Sequence, residues 1–249
     1  MLNTEPSRST SAVFTPLRSG SLVDQISDRI AESAESGVLR PGQRLPNEVE
    51  FAAALGVSPL TVREALARLR DAEIVVTTRG RTGGSFISAG LAPSTERAEA
   101  RLRETSRTDI FEMGAHYEAL AVGCARAAAR RASPSDLKLL GDLIGDPDSP
   151  DVEQDPTTWR QLETEFLVEV AAAARIARLA RALIQAQSEL GCLTYLPNTD
   201  PDYRRESCAH RSAVLAAIAE GSEANAESAI RALITHTVNW LLIRRSQTG

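Results

Sequence analysis

The first part of the chain places apolar residues at spacings that predict helices separated by glycine breaks. Helical spacing of apolar positions predicts one amphipathic helix over residues 21–36, and Gly37 ends it. Residues 38–46 are predicted to form a turn and a short strand, and residues 47–54 a second helix. The segment before residue 20 is rich in Ser, Thr and Pro, which predicts a flexible tail over residues 1–19.

The sharpest pattern is FAAALGVSPLTVREALARLR, which predicts a short helix, a glycine turn and another helix over residues 51–70. Gly56 suits the turn because glycine adopts positive φ without a Cβ clash. Ser58 is a good N-cap residue, and Pro59 fits the first helical position, where no backbone donor is needed. The second helix is therefore expected to begin directly after the turn.

That second helix is predicted to bury one face and to expose the other. The residues expected to pack together are Phe51, Ala54, Val57, Val62, Ala65, Leu66 and Leu69. The outward face and its leading end carry Ser58, Pro59, Leu60, Thr61, Arg63, Ala67 and Arg70. Two short helices arranged in this way form a helix-turn-helix, which offers the first turn of its second helix to a DNA major groove. The structural alternative is an αα-corner without a DNA-binding role.

The residues that follow favour DNA binding because they predict a basic β-hairpin. Residues 74–78 are β-branched, residues 79–84 form the basic turn RGRTGG, and residues 85–88 resume a strand pattern. The sequence thus predicts a winged helix-turn-helix over residues 20–88. Candidate DNA-binding residues are Arg44, Ser58, Leu60, Thr61, Arg63, Arg79, Gly80 and Arg81.

The rest of the chain shows helical patterns interrupted by Pro and Gly breaks. Helices are predicted over residues 108–132, 135–144, 156–174, 176–191, 202–221 and 224–245. After a linker at residues 89–96, residues 97–249 are expected to form an antiparallel bundle of six or seven helices. The predicted fold class is therefore mainly α, with an N-terminal winged helix-turn-helix and a C-terminal antiparallel α-helical bundle.

The distribution of charge and cysteine narrows the function further. The formal net charge is -5, yet residues 1–90 balance ten arginines against ten acidic residues, so the acidic excess belongs to the bundle. Three widely spaced cysteines, Cys124, Cys192 and Cys208, form no paired zinc motif and are expected to be buried thiols. The chain shows neither a signal-peptide pattern nor a run of about eighteen apolar residues, so we expect a cytoplasmic protein that does not bind membranes.

The run GVLRPGQRLPNEVEFAAALGVSPLTVREALARL resembles the DNA-binding domain of the GntR family of bacterial transcription regulators, over residues 21–88. The resemblance implies that Thr61, Arg63, Arg79 and Gly80 contact bases and phosphates. Two positions depart from it: Val49 replaces an arginine of the fatty-acid-responsive branch, and Pro59 replaces an arginine or similar polar residue. Arg63 is the expected reader of a guanine, since bidentate binding of arginine to O6 and N7 is the commonest base-specific contact.

The pattern from His210 to Ala226, followed by His236, resembles the FCD ligand-binding domain of FadR-type members of that family. Many members bind a metal there through a D-x-x-F-H motif and two later histidines, but this chain has Glu163 and Leu167 at the motif's aspartate and histidine positions. The implied zinc or nickel site is thus incomplete.

Two imidazoles and a carboxylate could still hold a metal, through Glu163, His210 and His236. The alternative is a metal-free pocket in which His210 and His236 are hydrogen-bonded core residues. The candidate effector pocket contains these three residues and His116, which could instead lie on a solvated helix face. Gly114 stands where an arginine is frequent, and Arg175-Ile176 where many members have Gly-Asn.

The function expected from these patterns is regulation of transcription, without enzymatic activity. The chain is expected to bind a pseudo-palindromic double-stranded operator as a homodimer, with its DNA affinity modulated by a small molecule in the bundle. The resemblance implies an organic acid or acyl compound, for which Arg160, Arg175 and Arg178 are candidate partners. The alternatives are an effector-independent DNA-binding dimer, a metal sensor, or a metal-dependent hydrolase on Glu163, His210 and His236.

Overall fold

The computed structural model describes residues 21–35, 39–78, 80, 83–91, 94–147 and 155–248. The predicted tail at residues 1–19 lies outside these residues, as do Gly37 and the candidate DNA-binding residues Arg79 and Arg81. Within the described residues there are ten α-helices and one two-stranded sheet. This arrangement confirms the predicted mainly α fold class.

The N-terminal part contains three helices followed by a hairpin. The helices are α1 (Leu22–Glu35), α2 (Glu48–Leu55) and α3 (Pro59–Asp71), and the strands are β1 (Val75–Thr78) and β2 (Gly84–Ile87). The strands pair antiparallel, with Val75 opposite Ile87, and Arg44 forms a single bridge with Phe86. The strand predicted within residues 38–46 is therefore reduced to one bridge, and the winged helix-turn-helix is otherwise confirmed.

Local signals set the boundaries of α2 and α3. The Asn47 side chain caps α2 by accepting backbone hydrogen bonds from Val49 and Glu50. Gly56 follows α2 with φ 68°, a left-handed conformation that glycine adopts without a Cβ clash. Ser58 then caps α3 by accepting from the Thr61 backbone, as the sequence predicted.

The core of the winged domain forms where α1, α3 and the hairpin meet. Its buried residues are Ile26, Ile30, Ala34, Leu45, Ala52, Val62, Ala65, Leu66, Leu69, Val75 and Ile87. Ala54 was predicted to pack inward, but it is exposed, and Ala52 is buried instead. The error has a geometric cause: α2 turns Phe51, Ala52 and Leu55 toward α3, and Ala54 lies outside that stripe.

The C-terminal part is a bundle of seven α-helices among the described residues, in agreement with the prediction. They are α4 (Thr95–Glu104), α5 (Arg107–Arg131), α6 (Pro134–Asp142), α7 (Pro156–Ala173), α8 (Ala177–Leu190), α9 (Pro201–Ala219) and α10 (Glu223–Gln247). Short 3-10 turns lie at Ala89–Leu91, Gly191–Tyr195 and Pro197–Thr199. The α4 helix was not predicted, and it begins within the predicted linker because Ser94 caps it and Leu102 is buried.

Helix α5 is the central element of the bundle and packs on α10, α8 and α7. Its buried face is built largely from small residues, including Ala121, Cys124, Ala125 and Ala128, which allow neighbouring helices to approach closely. All three cysteines are buried free thiols, as predicted. Burial raises the pKa of Cys124 to about 12.

The two parts of the chain are in contact with each other. Helix α1 packs against α8 and against the 3-10 turn Gly191–Tyr195. The guanidinium of Arg40 also forms an ion pair with Glu165 on α7. None of the helices in the described residues is long and apolar enough to cross a membrane.

Candidate nucleic-acid interface and bundle cavity

The first turn of α3 is exposed and stabilised by its own side chains. The Ser58 hydroxyl accepts a hydrogen bond from the Thr61 backbone at 3.1 Å and lies 2.8 Å from the Thr61 hydroxyl. Leu60 is 60% exposed within the same turn. Three of the predicted DNA-binding residues therefore share the outward start of the helix, where a helix-turn-helix meets the major groove.

Arg63 lies one turn further along α3 and is held by an acidic residue of α2. Its Nε and Nη2 atoms donate to Oε2 of Glu48 at 2.9 and 2.8 Å, and the Arg63 side chain remains 62% exposed. The hydrogen bond and the charge of Glu48 both raise the pKa of Arg63. Neither Pro59 nor Ala67 can pair with Arg63 within α3, so its partner could be found only from the fold.

The base of the wing carries two arginines that point toward the hairpin. Arg44 donates from Nη2 to the Gly83 carbonyl at 2.8 Å, and Arg70 donates from Nη1 to the Thr77 hydroxyl at 3.4 Å. Both arginines donate hydrogen bonds to uncharged oxygen atoms, and within the described part of the chain neither arginine forms an ion pair with a carboxylate. They therefore keep positive charge available for phosphates. Arg70 was placed on the outward face but was not selected as a site residue from the sequence.

The tip of the wing is described at Gly80 but not at its arginines. Gly80 has φ 116°, and its carbonyl accepts a hydrogen bond from the Gly83 backbone at 2.9 Å. Arg79 and Arg81 lie outside the described residues. Gly84 leaves room for Arg44, since a Cβ there would lie 2.9 Å from the Arg44 Nε atom.

Inside the bundle, Glu163 is the acceptor of a buried hydrogen-bond network. Oε2 accepts from the Asn198 amide at 3.1 Å, and Oε1 lies 3.0 Å from the Tyr203 hydroxyl and 3.2 Å from the Thr237 hydroxyl. The two hydroxyls are 2.7 Å apart. Burial, followed by the charge of Glu163, raises the pKa of Tyr203 well above its usual value. The network joins α7, α9 and α10 with the turn at Pro197–Thr199.

The two bundle histidines lie beside this network. His236 stacks on Tyr203 with ring centroids 4.6 Å apart, and the His210 ring is 5.2 Å from His236. Nδ1 of His236 is 3.5 Å from the Glu206 carboxylate, and its Nε2 is buried without a hydrogen-bond partner in the described part of the chain. Burial first, and His236 second, lower the pKa of His210.

These residues do not fit the metal site that the FCD resemblance implied. The Glu163 carboxylate is already bound by three donors, and Leu167 supplies no ligand at the position of the missing histidine. Among the described residues, no group of three His, Cys, Asp or Glu side chains could hold a metal ion. The predicted set of Glu163, His210 and His236 is therefore not assembled for coordination, and we derive no chemistry from it.

A small cavity of about 10 Å³ lies in the bundle next to Glu163. It is lined by Tyr117, Arg160, Glu163, Thr164, Leu167, Gln187, Thr194 and Thr237. Its volume is about that required by one water molecule. Of the four residues predicted for the effector pocket, Glu163 lines this cavity, whereas His116, His210 and His236 lie outside its lining. His116 is on an exposed face of α5, with Nδ1 3.7 Å from Glu189.

Arg160 is the cationic residue of the cavity lining and is 2% exposed. Its Nε donates to the Thr194 hydroxyl and its Nη2 to the Gly191 carbonyl, both at 3.2 Å. The other two candidates for binding an organic acid lie outside the lining: Arg178 is exposed, and Arg175 pairs with Asp136 at 2.6 Å. Of the three arginines predicted to bind an organic acid, Arg160 is therefore the one that lines the cavity.

Two departures from the family pattern have structural counterparts. Gly114 of α5 packs against Val238 of α10, so closely that a Cβ at residue 114 would lie 2.6 Å from a Val238 methyl group. This packing leaves no room for an arginine at residue 114. Arg175 has φ 55°, a left-handed conformation that Gly and Asn adopt at lower cost.

Two family models match the chain. The model described as bacterial regulatory proteins, gntR family, matches residues 22–86, and the model described as the FCD domain matches residues 109–236. Together they cover the winged domain and most of the bundle.

Similar proteins include RmpR of Mycobacterium gastri, named as an HTH-type transcriptional regulator. It is 32% identical over 184 residues, which are 74% of this chain and 66% of RmpR. The HTH-type transcriptional regulator Mce2R of Mycobacterium tuberculosis is 31% identical over 157 residues, which are 61% of this chain and 62% of Mce2R. The matches thus span slightly less than two thirds of the length of both relatives.

Among solved structures, E. coli McbR/YncC has a TM-score of 0.55 with 19% identity, and the similarity covers 91% of this chain and 99% of that chain. At this level of identity the comparison shows a shared fold. The family models are more specific, since the FCD match alone spans more than half of the chain. The chain therefore belongs to the GntR family of bacterial transcription regulators and carries an FCD domain.

Proposed function

We propose that the protein is a cytoplasmic homodimer that binds a pseudo-palindromic operator with sequence specificity. The observation that carries this proposal is the exposed start of α3, where Ser58, Leu60 and Thr61 face outward beside Arg63. In a helix-turn-helix this turn lies in the major groove, and a dimer places two such turns in half-sites about one helical repeat apart.

The proposal assigns different tasks to the arginines of this surface. Arg63 reads a guanine, because its fork of donors matches O6 and N7, and such a contact discriminates between bases by about 5- to 150-fold. Arg44 and Arg70, together with Arg79 and Arg81 of the wing, bind phosphates and fix the register on the duplex. Ser58 and Thr61 supply hydroxyl groups to the backbone or to base edges, and Gly80 lets the wing tip approach the DNA.

Selection of bound duplexes from random DNA tests this assignment with a matched pair of variants. Arg63→Ala should abolish base preference at one symmetric position and leave weaker, salt-sensitive binding. Arg68→Ala is the control, since Arg68 is also on α3, is similarly exposed and pairs with Asp24 of α1. It should keep the full consensus. A consensus unchanged by Arg63→Ala would contradict the role of Arg63.

We further propose that a small organic acid binds at the bundle cavity and changes the affinity for DNA. Arg160 provides a buried cation there, and Thr194 and Gln187 provide polar groups around it. The present volume of about 10 Å³ requires α7 and α8 to separate before such a ligand enters. Because α8 packs on α1 of the winged domain, that separation would alter how the DNA-binding part is held.

Thermal unfolding with a panel of mono- and dicarboxylic acids tests this proposal. The expected result is an acid that raises the melting temperature of the wild type and changes its operator affinity. Arg160→Leu should lose both effects, whereas Arg178→Leu, on the exposed start of α8, should keep them. If Arg160→Leu kept both effects, the assignment of the binding site to this cavity would be contradicted.

The closed volume of the cavity favours a second candidate, an effector-independent DNA-binding dimer. In that case the bundle serves for dimerisation, and the cavity holds at most one water molecule. No acid of the panel would then change the melting temperature or the operator affinity. DNA selected by the same protein sample would still show a consensus. The acid panel therefore distinguishes the two candidates, because both predict specific DNA binding and only the first predicts a response to an acid.

A further inference from the structure

Two large apolar side chains are exposed at the starts of the two helices that form the helix-turn-helix. Val49, in the first turn of α2, is 68% exposed, and Leu60, in the first turn of α3, is 60% exposed. Val49 is the most exposed of the large apolar side chains in the described residues. Its backbone is fixed, because its N–H donates to the Asn47 side chain that caps α2.

The ion pair between Glu48 and Arg63 joins the two helix starts that carry these side chains. Glu48 immediately precedes Val49, so its contact with Arg63 holds the first turn of α2 against α3. Leu60 lies three residues before Arg63 and therefore on the same face of α3. The exposed Val49 and Leu60 therefore lie one residue and one helical turn, respectively, from the two members of this ion pair.

Arginines elsewhere on the same domain indicate what covers this apolar pair. Arg70 is on the same helix as Leu60, and Arg44 is at the base of the wing. Both arginines donate hydrogen bonds to uncharged oxygen atoms, so their positive charge is not neutralised by these contacts. A domain that exposes apolar side chains at its helix starts and arginines on its last helix and wing is suited to a polyanion that exposes apolar groups between its phosphates. Duplex DNA has this property in the major groove, because each thymine presents a C5-methyl group there.

We infer that Val49 and Leu60 contact thymine C5-methyl groups and make the operator specific for thymine next to the base read by Arg63. The inference rests on the proposed DNA-binding function and adds which base the side chains of Val49 and Leu60 recognise. Val49 has no side-chain donor or acceptor, so it cannot read guanine or adenine by hydrogen bonds. Methyl contact distinguishes thymine from cytosine, which lacks the C5-methyl group.

Replacement of thymine by deoxyuridine tests the inference, since it removes only the methyl group. Each dT of the selected operator is replaced by dU symmetrically in both half-sites, and the dissociation constant is measured by fluorescence anisotropy. At the contacted position we expect binding about fourfold weaker per half-site, which corresponds to about 0.8 kcal/mol for one buried methyl group.

Variants assign the effect to the two side chains. Val49→Ala or Leu60→Ala should weaken binding to the dT operator and should remove the difference between dT and dU at its own position. Val76→Ala and Phe111→Ala are the controls, because these side chains are 46% and 62% exposed on β1 and α5. They should keep the full difference. Since all four side chains are exposed, the substitutions are expected to leave the fold intact.

The outcomes separate this inference from the function on which it rests. If selection enriches no sequence, the proposed specific DNA binding fails. If a consensus exists but every dU replacement leaves the dissociation constant within twofold, the methyl contact is overturned while DNA binding stands. If Val49→Ala or Leu60→Ala changes the oligomeric state in sedimentation and not the response to dU, the surface binds a second copy of the chain, which also overturns the inference.

Discussion

Nε and Nη2 of Arg63 share a single carboxylate oxygen of Glu48, at 2.9 and 2.8 Å. The contact joins the helix that is proposed to read DNA to the helix before it. It also places a negative charge on a surface that is expected to meet phosphates. Exposed ion pairs of this kind contribute little to folding, so the partner of Arg63 can be exchanged for a base at small cost.

Glu48→Gln is therefore expected to increase affinity for DNA. The variant removes one repulsive charge and weakens the contact that competes for Arg63, so the dissociation constant for operator DNA should fall about three- to tenfold at low salt. Asp24→Asn is the matched control, since Asp24 pairs with Arg68 on the side of α3 next to α1. Fluorescence anisotropy at several salt concentrations measures both variants. Unchanged binding by Glu48→Gln would contradict this competition, and weaker binding would show that Glu48 orients Arg63 for its base.

Gly56→Ala should destabilise the winged domain because residue 56 has φ 68°. Apart from the chain neighbours of Gly56, no atom of the described residues lies within 4 Å of the position of an added Cβ, so the cost is conformational and amounts to about 1 kcal/mol. Gly141→Ala is the control: this residue lies within α6, and its Cβ would meet a Leu215 methyl group at an ordinary 3.8 Å. It should be neutral or stabilising. Urea unfolding measures the change in unfolding free energy for both variants. Equal changes for Gly56→Ala and Gly141→Ala would exclude backbone strain at residue 56 as the cause.

The features that sequence predicted best are those set by neighbouring residues. Gly56, Ser58 and Pro59 define the turn and the start of α3 through contacts within three residues, so their roles follow from residue type alone. The long bundle helices were also predicted to within a few residues, because each has a long apolar stripe and a Pro or Gly break at its end.

The features that sequence did not predict depend on residues far apart in the chain. Arg63 finds its acidic partner 15 residues away, in another helix. Glu163 was aligned with a metal ligand, but it accepts from Tyr203 and Thr237, which lie 40 and 74 residues later. No spacing rule connects such positions, and the cavity next to Glu163 could be located only once these helices were packed.

Removal of the Glu163 carboxylate should destabilise the bundle. Glu163→Ala leaves the Asn198 amide and two hydroxyls without their buried acceptor, which should cost at least about 2 kcal/mol of unfolding free energy. Glu163→Gln keeps one acceptor oxygen and should cost less. Glu165→Ala is the control, two residues later on α7, because the Glu165 side chain is 34% exposed and its ion pair with Arg40 contributes under about 1 kcal/mol. Urea unfolding that ranks Glu165→Ala as the most costly of the three would contradict this role.

Asp136 should make the bundle sensitive to acid. The Ser133 backbone and hydroxyl donate to its carboxylate at 2.7 and 2.8 Å, and Arg175 donates at 2.6 Å. The Ser133 hydrogen bonds first, and Arg175 after them, hold the pKa of Asp136 below its usual value of 3.8. A carboxyl group with a lowered pKa stabilises the fold above its unfolded pKa, and this contribution is lost as pH falls through the folded pKa.

Asp136→Asn should therefore be destabilised relative to the wild type at pH 7, by about 1 kcal/mol, and the difference should shrink below about pH 4. Asp24 and Glu223 also have lowered pKa values, but they titrate in both proteins and cancel in the comparison. Asp202→Asn is the control, because Asp202 is 84% exposed in its pair with Arg205. Urea unfolding at pH 7 and pH 3 gives the two differences. If the difference in unfolding free energy between the wild type and Asp136→Asn stays constant between these pH values, Asp136 acts through packing and not through its charge.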